Sequence, residues 1–205
     1  MPAIAVTGGI ACGKSTVSLQ LVQAIRELHL DALYFSADAC AHRLLRDDSS
    51  VRSAVLNTFG TSVLGPDHLI SRQSLREIIT EHPEKRSELE QILHPAIRSA
   101  WSHDAQRARS SSIWFVAEIP LLFETNAAPH FDQIVAVVCS QTSQQTRLAN
   151  RGWSATQIRE IVIAQAPTES KMLPAHYVIW TDVPMHIVGR QTALLAESLL
   201  HAFAE

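Results

Sequence analysis

The glycine-rich stretch at residues 8–16, Gly-Gly-Ile-Ala-Cys-Gly-Lys-Ser-Thr, constrains this chain more than any other feature. It contains the spacing Gly-x-x-x-x-Gly-Lys-Ser/Thr, with Gly8 and Gly13 as the fixed glycines. An apolar run at residues 3–6 predicts a buried strand before it, and apolar residues at nearly helical spacing predict a helix after it. This order of strand, loop and helix predicts a phosphate-binding site and disfavours a glycine-rich turn that binds nothing.

The residue types in this loop suit a phosphate anion. Glycine lets the backbone turn tightly, so that several N–H groups point at phosphate oxygens, and the following helix adds the positive end of its dipole. Lys14 brings a mobile positive charge to the outer phosphates, and the hydroxyl of Ser15 is a ligand for Mg²⁺. The predicted phosphate-binding residues are Gly8, Gly9, Ala11, Cys12, Gly13, Lys14, Ser15 and Thr16.

Composition places the chain among ordinary globular proteins. Its 205 residues are 46% apolar and 18% charged, and the formal net charge is -3. No basic tract stands out, so we expect no nucleic-acid partner. The longest apolar runs, such as residues 134–139, are too short to span a membrane, and we expect no membrane partner.

The three cysteines indicate a reducing compartment. They are few, odd in number and far apart, which suggests neither a disulfide framework nor a zinc site. A signal peptide is not expected, because its cleavage would destroy the loop that begins at residue 8. We therefore predict a cytoplasmic protein.

Alternation of strands and helices predicts an α/β fold with a doubly wound, parallel, five-stranded sheet flanked by helices. The candidate strands are residues 3–6, 32–35, 113–117, 134–138 and 177–180. Ligands of such sheets bind at the carboxyl ends of the strands.

The region from about 60 to 110 contains only helical patterns, and we predict that it is an insertion into a core formed by residues 1–59 and 111–205. Ser71 is placed to cap a helix. Pro83 can open the next helix, and Pro95 is expected to start a third one.

Phosphoryl transfer also needs a group that orients the acceptor hydroxyl. Asp38 fits this role, since it follows the second strand by a few residues, but its spacing suits a helix N-cap equally well. Glu118 ends the third strand, where it would support Mg²⁺ or simply be a surface glutamate. Both alternatives stay open for each residue.

Arg147 and Arg151 are four residues apart, which predicts that both lie on one helix face and reach one anion. A solvated charged face is the alternative. Lys171 and Arg159 are weaker candidates for the same role.

Several motifs in this order resemble those of the dephospho-coenzyme A kinase family. They cover nearly the whole chain: the loop at residues 7–16, Ala37-Asp38 with Ala41-His42, residues 71–76 with 89–98, residues 119–124, Gln144-x-x-Arg147-Leu148-x-x-Arg151, and Gln165 with Lys171. In four places the chain departs from the family pattern. Ser36 replaces the family's first aspartate, and Ala11-Cys12 replace the more usual Gly-Ser. Glu118 stands where the family often carries aspartate, and residues 175–181, where adenine contacts are expected, differ from the family's Ala-Asp-x-x-Ile-x-Asn segment.

The resemblance implies ATP-dependent phosphorylation, with Mg²⁺, of the ribose 3′-hydroxyl of dephospho-CoA, in a P-loop fold with a helical CoA-binding insertion and a lid at about residues 147–172. Asp38 then orients the hydroxyl, Lys14 and Arg147 offset transition-state charge, and Arg151 belongs to the lid. Pro120, Leu121 and Leu122 line the acceptor pocket. We expect a monomer or weak homo-oligomer.

Two other functions are compatible with a phosphate-binding loop. One is a P-loop kinase for nucleosides or nucleotides. The other is a GTPase-type switch, but neither Asn-Lys-x-Asp nor Asp-x-x-Gly occurs in the sequence.

Cys12 raises a separate hypothesis, because it lies in the loop beside Lys14 and a helix N-terminus, which favour thiolate. Oxidation there would block ATP; the alternative is a small, inert loop residue.

Overall fold

The computed structural model describes residues 1–164 and 168–203. The predicted parallel sheet is confirmed, with five strands in the order β2-β3-β1-β4-β5. The strands are β1 (Ala3–Gly8), β2 (Ala32–Ser36), β3 (Trp114–Glu118), β4 (Gln133–Val138) and β5 (Tyr177–Trp180).

Helices connect these strands. They are α1 (Lys14–Glu27), α2 (Ala37–Asp47), α3 (Ser49–Phe59), α4 (Arg72–Glu81), α5 (Pro83–Ser110), α6 (Gln141–Ala149), α7 (Ala155–Ala164), α8 (Thr168–Met172) and α9 (Met185–Phe203). The chain forms two compact units: one holds Met1–Ser36 and the chain from Asp104 onward, and the other is Ala37–His103.

The sheet of the first unit is a buried platform. Every residue of β1 and β3 is buried, as expected for central parallel strands that helices cover on both faces. On one face, α1 and α9 pack together against the sheet. The apolar side chains they contribute include Val17, Leu21, Ile25, Val188, Leu195 and Leu199. Burial of each such side chain contributes roughly 1.5–3 kcal/mol, which fixes the strand ends that carry the loops.

The register aligns the carboxyl ends of three strands. Glu118 of β3 is opposite Val6 of β1 and also opposite Ser36 of β2. On the other side of β1, Gly8 is opposite Val137 of β4. The loop after Gly8 therefore starts at the point where strand order reverses, which is where ligands bind in open α/β sheets.

The second unit has a core of its own. Helices α2 to α4, the first part of α5 and the segment between α3 and α4 supply its apolar cluster, which includes Val51, Val55, Val63, Leu75 and Leu89. As predicted, Ser71 caps α4: its hydroxyl oxygen accepts a hydrogen bond from the Ser74 N–H at 3.2 Å. The predicted insertion at about residues 60–110 overlaps this unit, which also contains α2 and α3; its role in binding substrate stays a prediction.

The prediction that Pro95 starts a new helix is wrong. Pro95 lies inside the 28-residue helix α5. A proline inside a helix removes a hydrogen bond and costs about 3 kcal/mol. Packing on both sides of Pro95 offsets this cost, because Ile92 and Leu93 before it and Ala96 after it all contact the same apolar cluster.

Candidate functional site

The loop between β1 and α1 has the backbone that its glycines predict. Gly8 has φ +146°, and a Cβ atom there would lie 2.1 Å from the carbonyl oxygen of Val137. Gly13, with φ +91°, directly precedes α1. Residues with a side chain rarely adopt such φ values, so replacing either glycine would displace the loop. The main-chain N–H groups are thereby kept at the start of a helix, where anions are favoured.

Ala11 has a backbone conformation in this loop that favours glycine. Its φ is +58°, a left-handed conformation that costs an alanine about 1–2 kcal/mol. The methyl group packs with Leu148 and Ile158 in a small apolar cluster. That burial offsets part of the strain and explains how the loop keeps its shape with an alanine at this position.

Lys14 folds back over the loop. Its side chain is buried, and its Nζ donates a hydrogen bond to the carbonyl oxygen of Gly9 at 2.8 Å. The ammonium group is thus held over the concave side of the main chain that was predicted to bind phosphate. A charged hydrogen bond of this kind keeps the cation in place before a ligand arrives.

Glu118 is not a surface residue. It is 3% exposed, and its two carboxylate oxygens each accept a hydrogen bond. Ser15 Oγ donates to Oε1 at 2.8 Å, and Tyr34 Oη donates to Oε2 at 2.6 Å. Burial of a carboxylate is costly unless it is hydrogen-bonded in this way, so the arrangement requires both hydroxyl groups.

This pair fits a magnesium ion. A hydroxyl and a carboxylate are the hard oxygen ligands that Mg²⁺ prefers, and the ion commonly takes only one or two protein ligands together with phosphate oxygens. Ser15 is exposed while Glu118 is buried behind it. Within residues 1–164 and 168–203 no group of three His, Cys, Asp or Glu side chains could hold a metal ion on its own.

Arg147 connects the loop to the end of β5 through hydrogen bonds. One of its terminal nitrogens donates to the carbonyl oxygen of Ala11 at 3.1 Å and to Thr181 Oγ1 at 2.9 Å, and the other donates to the Thr181 carbonyl oxygen at 2.6 Å. The Thr181 hydroxyl also donates to the Cys12 carbonyl oxygen at 2.8 Å. The guanidinium fork thus joins the loop to the end of β5.

Arg147 and Arg151 do not share a helix face, and that prediction is wrong. Helix α6 ends at Ala149, and Arg151 lies in the turn beyond it. The turn contains Gly152 with φ +82°, a typical residue for ending a helix. Arg151 is exposed, and Arg159 is exposed on α7. The predicted lid at about residues 147–172 stays a prediction, and Gln165 lies outside the described residues.

The segment at residues 119–124 is tied to α8 by a buried lysine. Lys171 is 5% exposed, and its Nζ donates to the Pro120 carbonyl oxygen at 2.8 Å and pairs with Glu124 Oε1 at 2.9 Å. Of the residues predicted to line an acceptor pocket, Leu122 is fully buried, whereas Leu121 is exposed. Leu121 is therefore the leucine that presents its side chain at the surface.

Asp38 belongs to the second unit and is the second residue of α2, so the helix begins before it and its role as an N-cap is not observed. Three charged or titratable neighbours of the same unit accompany it. Partial desolvation of the largely exposed His42 side chain lowers its pKa, the cations of Arg72 and Arg76 lower it further, and the Asp38 carboxylate raises it. These groups thus lie within electrostatic reach of His42.

A cavity of about 280 Å³ lies in the second unit beside this cluster. Its polar lining contains both signs of charge, from Arg46, Arg72 and Asp67 together with His42, and its apolar lining comes from Leu45, Leu69 and Ile70. Its volume is close to the lower limit for a small-molecule site.

Comparison with known proteins adds to this geometry. A family model described as dephospho-CoA kinase matches residues 2–185. The chain belongs to the dephospho-CoA kinase family. It is 34% identical over 181 residues to the dephospho-CoA kinase of Bdellovibrio bacteriovorus, covering 86% of this chain and 85% of that protein. It is 33% identical to the enzyme of Streptomyces avermitilis over 199 residues, or 97% and 94% of the two chains.

Solved structures agree with the fold. The Thermus thermophilus protein TT1252 superposes with a TM-score of 0.75 at 25% identity over 98% of each chain. A dephospho-CoA kinase from Campylobacter jejuni gives a TM-score of 0.68 at 22% identity over 96% of each chain. None of the described helices is long and apolar enough to cross a membrane.

Sequence analysis did not predict the structural roles of three side chains that complete the site, although Gln144 belongs to the motif that contains Arg147. Tyr34 and Thr181 hold Glu118 and Arg147, and Gln144 Nε2 donates to the Ile10 carbonyl oxygen at 3.0 Å. Thr181 directly follows β5, and this position at the carboxyl end of a parallel strand was the available signal. Tyr34 is an internal residue of β2 and carried no such signal.

Proposed function

We propose that this chain transfers the terminal phosphate of ATP to the ribose 3′-hydroxyl of dephospho-CoA and so catalyses the last step of CoA synthesis. The observation that carries the proposal is the extent of the family match, residues 2–185. That range includes the phosphate loop, the second unit and the segment at residues 119–124. The braced geometry of the loop supports the same reaction.

On the donor side, the main-chain N–H groups of residues 8–16 cradle the phosphates, with the side chains of Ser15 and Thr16 at the start of α1. Lys14 Nζ, which rests on Gly9, moves its charge to the outer phosphates. Arg147 offsets charge that develops during transfer, while its bond to the Ala11 carbonyl oxygen keeps the loop in register. Most of the rate enhancement then comes from groups already in position.

Ser15 Oγ and the buried Glu118 would hold Mg²⁺, directly or through a water molecule. When bound, the ion neutralises the phosphate oxygens and orients them for in-line attack. The Tyr34 hydroxyl fixes one carboxylate oxygen of Glu118 and leaves the other facing Ser15. This support is of the kind that sets the affinity of a metal site.

On the acceptor side, Asp38 orients the 3′-hydroxyl and accepts its proton. Pro120, Leu121 and Leu122 line the acceptor pocket, and Lys171 holds this segment through the Pro120 carbonyl oxygen. Arg151 and the lid exclude water from the reacting phosphate. We further propose that the protein works in the cytoplasm, as a monomer or weak homo-oligomer, without nucleic-acid or membrane partners.

A panel of acceptors tests the proposal. The protein is incubated with labelled ATP, Mg²⁺ and either dephospho-CoA, a nucleoside or a nucleoside monophosphate, and the phosphorylated products are separated. We expect label in CoA alone, at the ribose 3′ position. Transfer to a nucleoside monophosphate but not to dephospho-CoA would contradict the proposal and favour a nucleotide kinase. GTP binding without transfer to any acceptor would favour a switch protein.

A further inference from the structure

Two cysteines that are far apart in sequence meet behind the phosphate loop. Cys12 lies in the loop and Cys139 directly follows β4, and their Sγ atoms are 3.5 Å apart. They meet because β1 and β4 are paired neighbours, so the segments that leave these strands run side by side. Both side chains are buried, with 0% and 4% of their surfaces exposed.

The surroundings distinguish the two sulfurs. Cys139 donates a hydrogen bond to the sulfur of Cys12, and with the charge of Lys14 this lowers the pKa of the Cys12 thiol to about 6 against the effect of burial. Gln144 Nε2 also donates to Cys12 Sγ at 3.3 Å. The same contact and burial raise the pKa of Cys139. Because Cys12 Sγ accepts both hydrogen bonds, the surroundings favour the thiolate at Cys12 and the thiol at Cys139.

We propose that Cys12 and Cys139 form a reversible disulfide when a peroxide reaches them, and that this disulfide prevents the loop from binding nucleotide. The existence of the disulfide is independent of the proposed function. Only its effect on nucleotide rests on that function.

The chemistry needs one molecule of hydrogen peroxide. The Cys12 thiolate attacks a peroxide oxygen, the O–O bond breaks, and the products are a Cys12 sulfenic acid and hydroxide, which takes a proton to become water. Cys139 sulfur then attacks the Cys12 sulfur, the S–O bond breaks, and the thiol proton leaves with the oxygen as a second water. Two thiols are oxidised to one disulfide, and both peroxide oxygens are reduced to water. An external thiol such as dithiothreitol reverses the step by exchange.

Disulfide formation requires the two sulfurs to approach each other, and in this proposal the loop moves with Cys12. An S–S bond is about 2.05 Å long, so sulfurs now 3.5 Å apart have to close by roughly 1.5 Å. Cys12 is anchored on its main chain, because its carbonyl oxygen accepts from Thr181 Oγ1 at 2.8 Å and its N–H donates to Gly9 at 3.4 Å. A shift of Cys12 therefore disturbs the N–H groups that would cradle phosphate. Conversely, bound nucleotide holds the loop and should slow oxidation.

The test treats the reduced full-length protein with hydrogen peroxide, with and without ATP. Free thiols are blocked, and the protein is digested without reductant. We expect a cross-linked peptide pair containing Cys12 and Cys139, less of it when ATP is present, and its disappearance after dithiothreitol. The isolated cross-linked protein should bind a fluorescent ATP analogue at least about tenfold more weakly than reduced protein, and reduction should restore binding.

Two variants provide matched controls. In Cys139→Ser the cross-link is lost and peroxide leaves a Cys12 sulfenic acid, which dimedone traps. In Cys40→Ser, which removes a buried cysteine of the second unit, the cross-link should form as in the unaltered protein.

Two results would overturn the proposal: peroxide treatment without a Cys12–Cys139 cross-link, or cross-linked protein that binds the analogue as reduced protein does. Failure of the reduced protein to bind any nucleotide would contradict the proposed function instead, and the cross-link would still report on the disulfide.

Discussion

The phosphate loop and the Asp38 cluster of the second unit present their polar groups in different ways. In the loop, the important groups are main-chain N–H groups and buried side chains that hydrogen bonds already hold, such as Lys14 and Glu118. In the second unit, the corresponding groups are exposed side chains on helices, such as Asp38, His42 and Arg72. The loop is organised before its ligand arrives, whereas the exposed cluster retains rotamer freedom.

Substitutions in the two regions should therefore affect binding, stability and turnover differently. A preorganised site loses binding and stability together when its support is removed, because the same contacts serve both. An exposed side chain contributes little to stability, and its replacement should change turnover or pH dependence alone. Substitutions in the loop should thus lower binding and stability together, whereas those in the exposed cluster should leave stability nearly unchanged.

The largest effect is expected for Gly8→Ala. The new Cβ would lie 2.1 Å from the Val137 carbonyl oxygen, at a φ of +146°. We expect a loss of about 3 kcal/mol or more in the free energy of unfolding, measured with urea, and no measurable ATP binding. Gly189→Ala is the control, because Gly189 lies within helix α9 and nothing lies within 4 Å of the new atom. Alanine suits a helix interior better than glycine, so the free energy of unfolding should stay unchanged or rise by up to about 1 kcal/mol. A loss as large as that of Gly8→Ala would contradict this expectation.

Glu118→Gln should mainly weaken the response to magnesium. The amide removes the negative charge and turns one acceptor into a donor that faces the Ser15 or Tyr34 hydroxyl. We expect the Mg²⁺ concentration for half-maximal activity to rise about 10–100-fold. Tyr34→Phe keeps the carboxylate of Glu118, so the Mg²⁺ concentration for half-maximal activity should rise by less. An unchanged magnesium dependence in Glu118→Gln would remove this residue from the metal site.

Arg147→Lys tests the brace behind the loop. Lysine keeps the charge but cannot bond the Ala11 carbonyl oxygen and both oxygens of Thr181 at once. Because the side chain is 33% exposed, we expect a moderate effect, a rise of roughly tenfold in the dissociation constant for ATP. Arg190→Lys, on the exposed surface of α9, should leave ATP affinity unchanged. Calorimetry with both variants decides whether the fork geometry matters.

The smallest effect concerns His42. Partial desolvation and the Arg72 cation hold the pKa of His42 in the folded protein below its ordinary value of 6.5. The unfolded chain therefore binds more protons in the window between the folded pKa and 6.5, and stability falls as pH drops through that window. His42→Gln should flatten this part of the stability profile, measured by urea unfolding between pH 5 and 7.5. A steeper dependence of the free energy of unfolding on pH in the variant would show that the pKa of His42 is not lowered by folding.

Most of the fold was predictable because its signals are local. The strands are short apolar runs, and the loop is recognisable because backbone conformation requires glycine at Gly8 and Gly13. Pro95 was misread since the packing that carries the helix past it comes from residues in other helices. Arg151 was misplaced because Gly152, not the charge spacing, decides where α6 ends.

The site was predictable only in part. Loop residues could be named from the motif, but the hydroxyl groups on Glu118 come from Ser15 and Tyr34, which are 103 and 84 residues away in sequence. The meeting of Cys12 and Cys139 depends on the order of strands in the sheet, which spacing does not reveal. The motif and the strand-end position had already assigned Ser15 and Glu118 to one magnesium site, whereas the contacts of Tyr34 and Cys139 follow from topology and had no signal in the sequence.

We propose that Asp38 acts on the acceptor and takes no part in binding ATP, and the Asp38→Asn variant separates these two roles. ATP affinity should stay within about twofold of the unaltered value, while turnover with dephospho-CoA falls roughly 10²–10⁴-fold. Asp47→Asn, an exposed position on the same helix, should change neither quantity. Turnover close to normal in Asp38→Asn, or an equal loss of ATP affinity, would contradict the account.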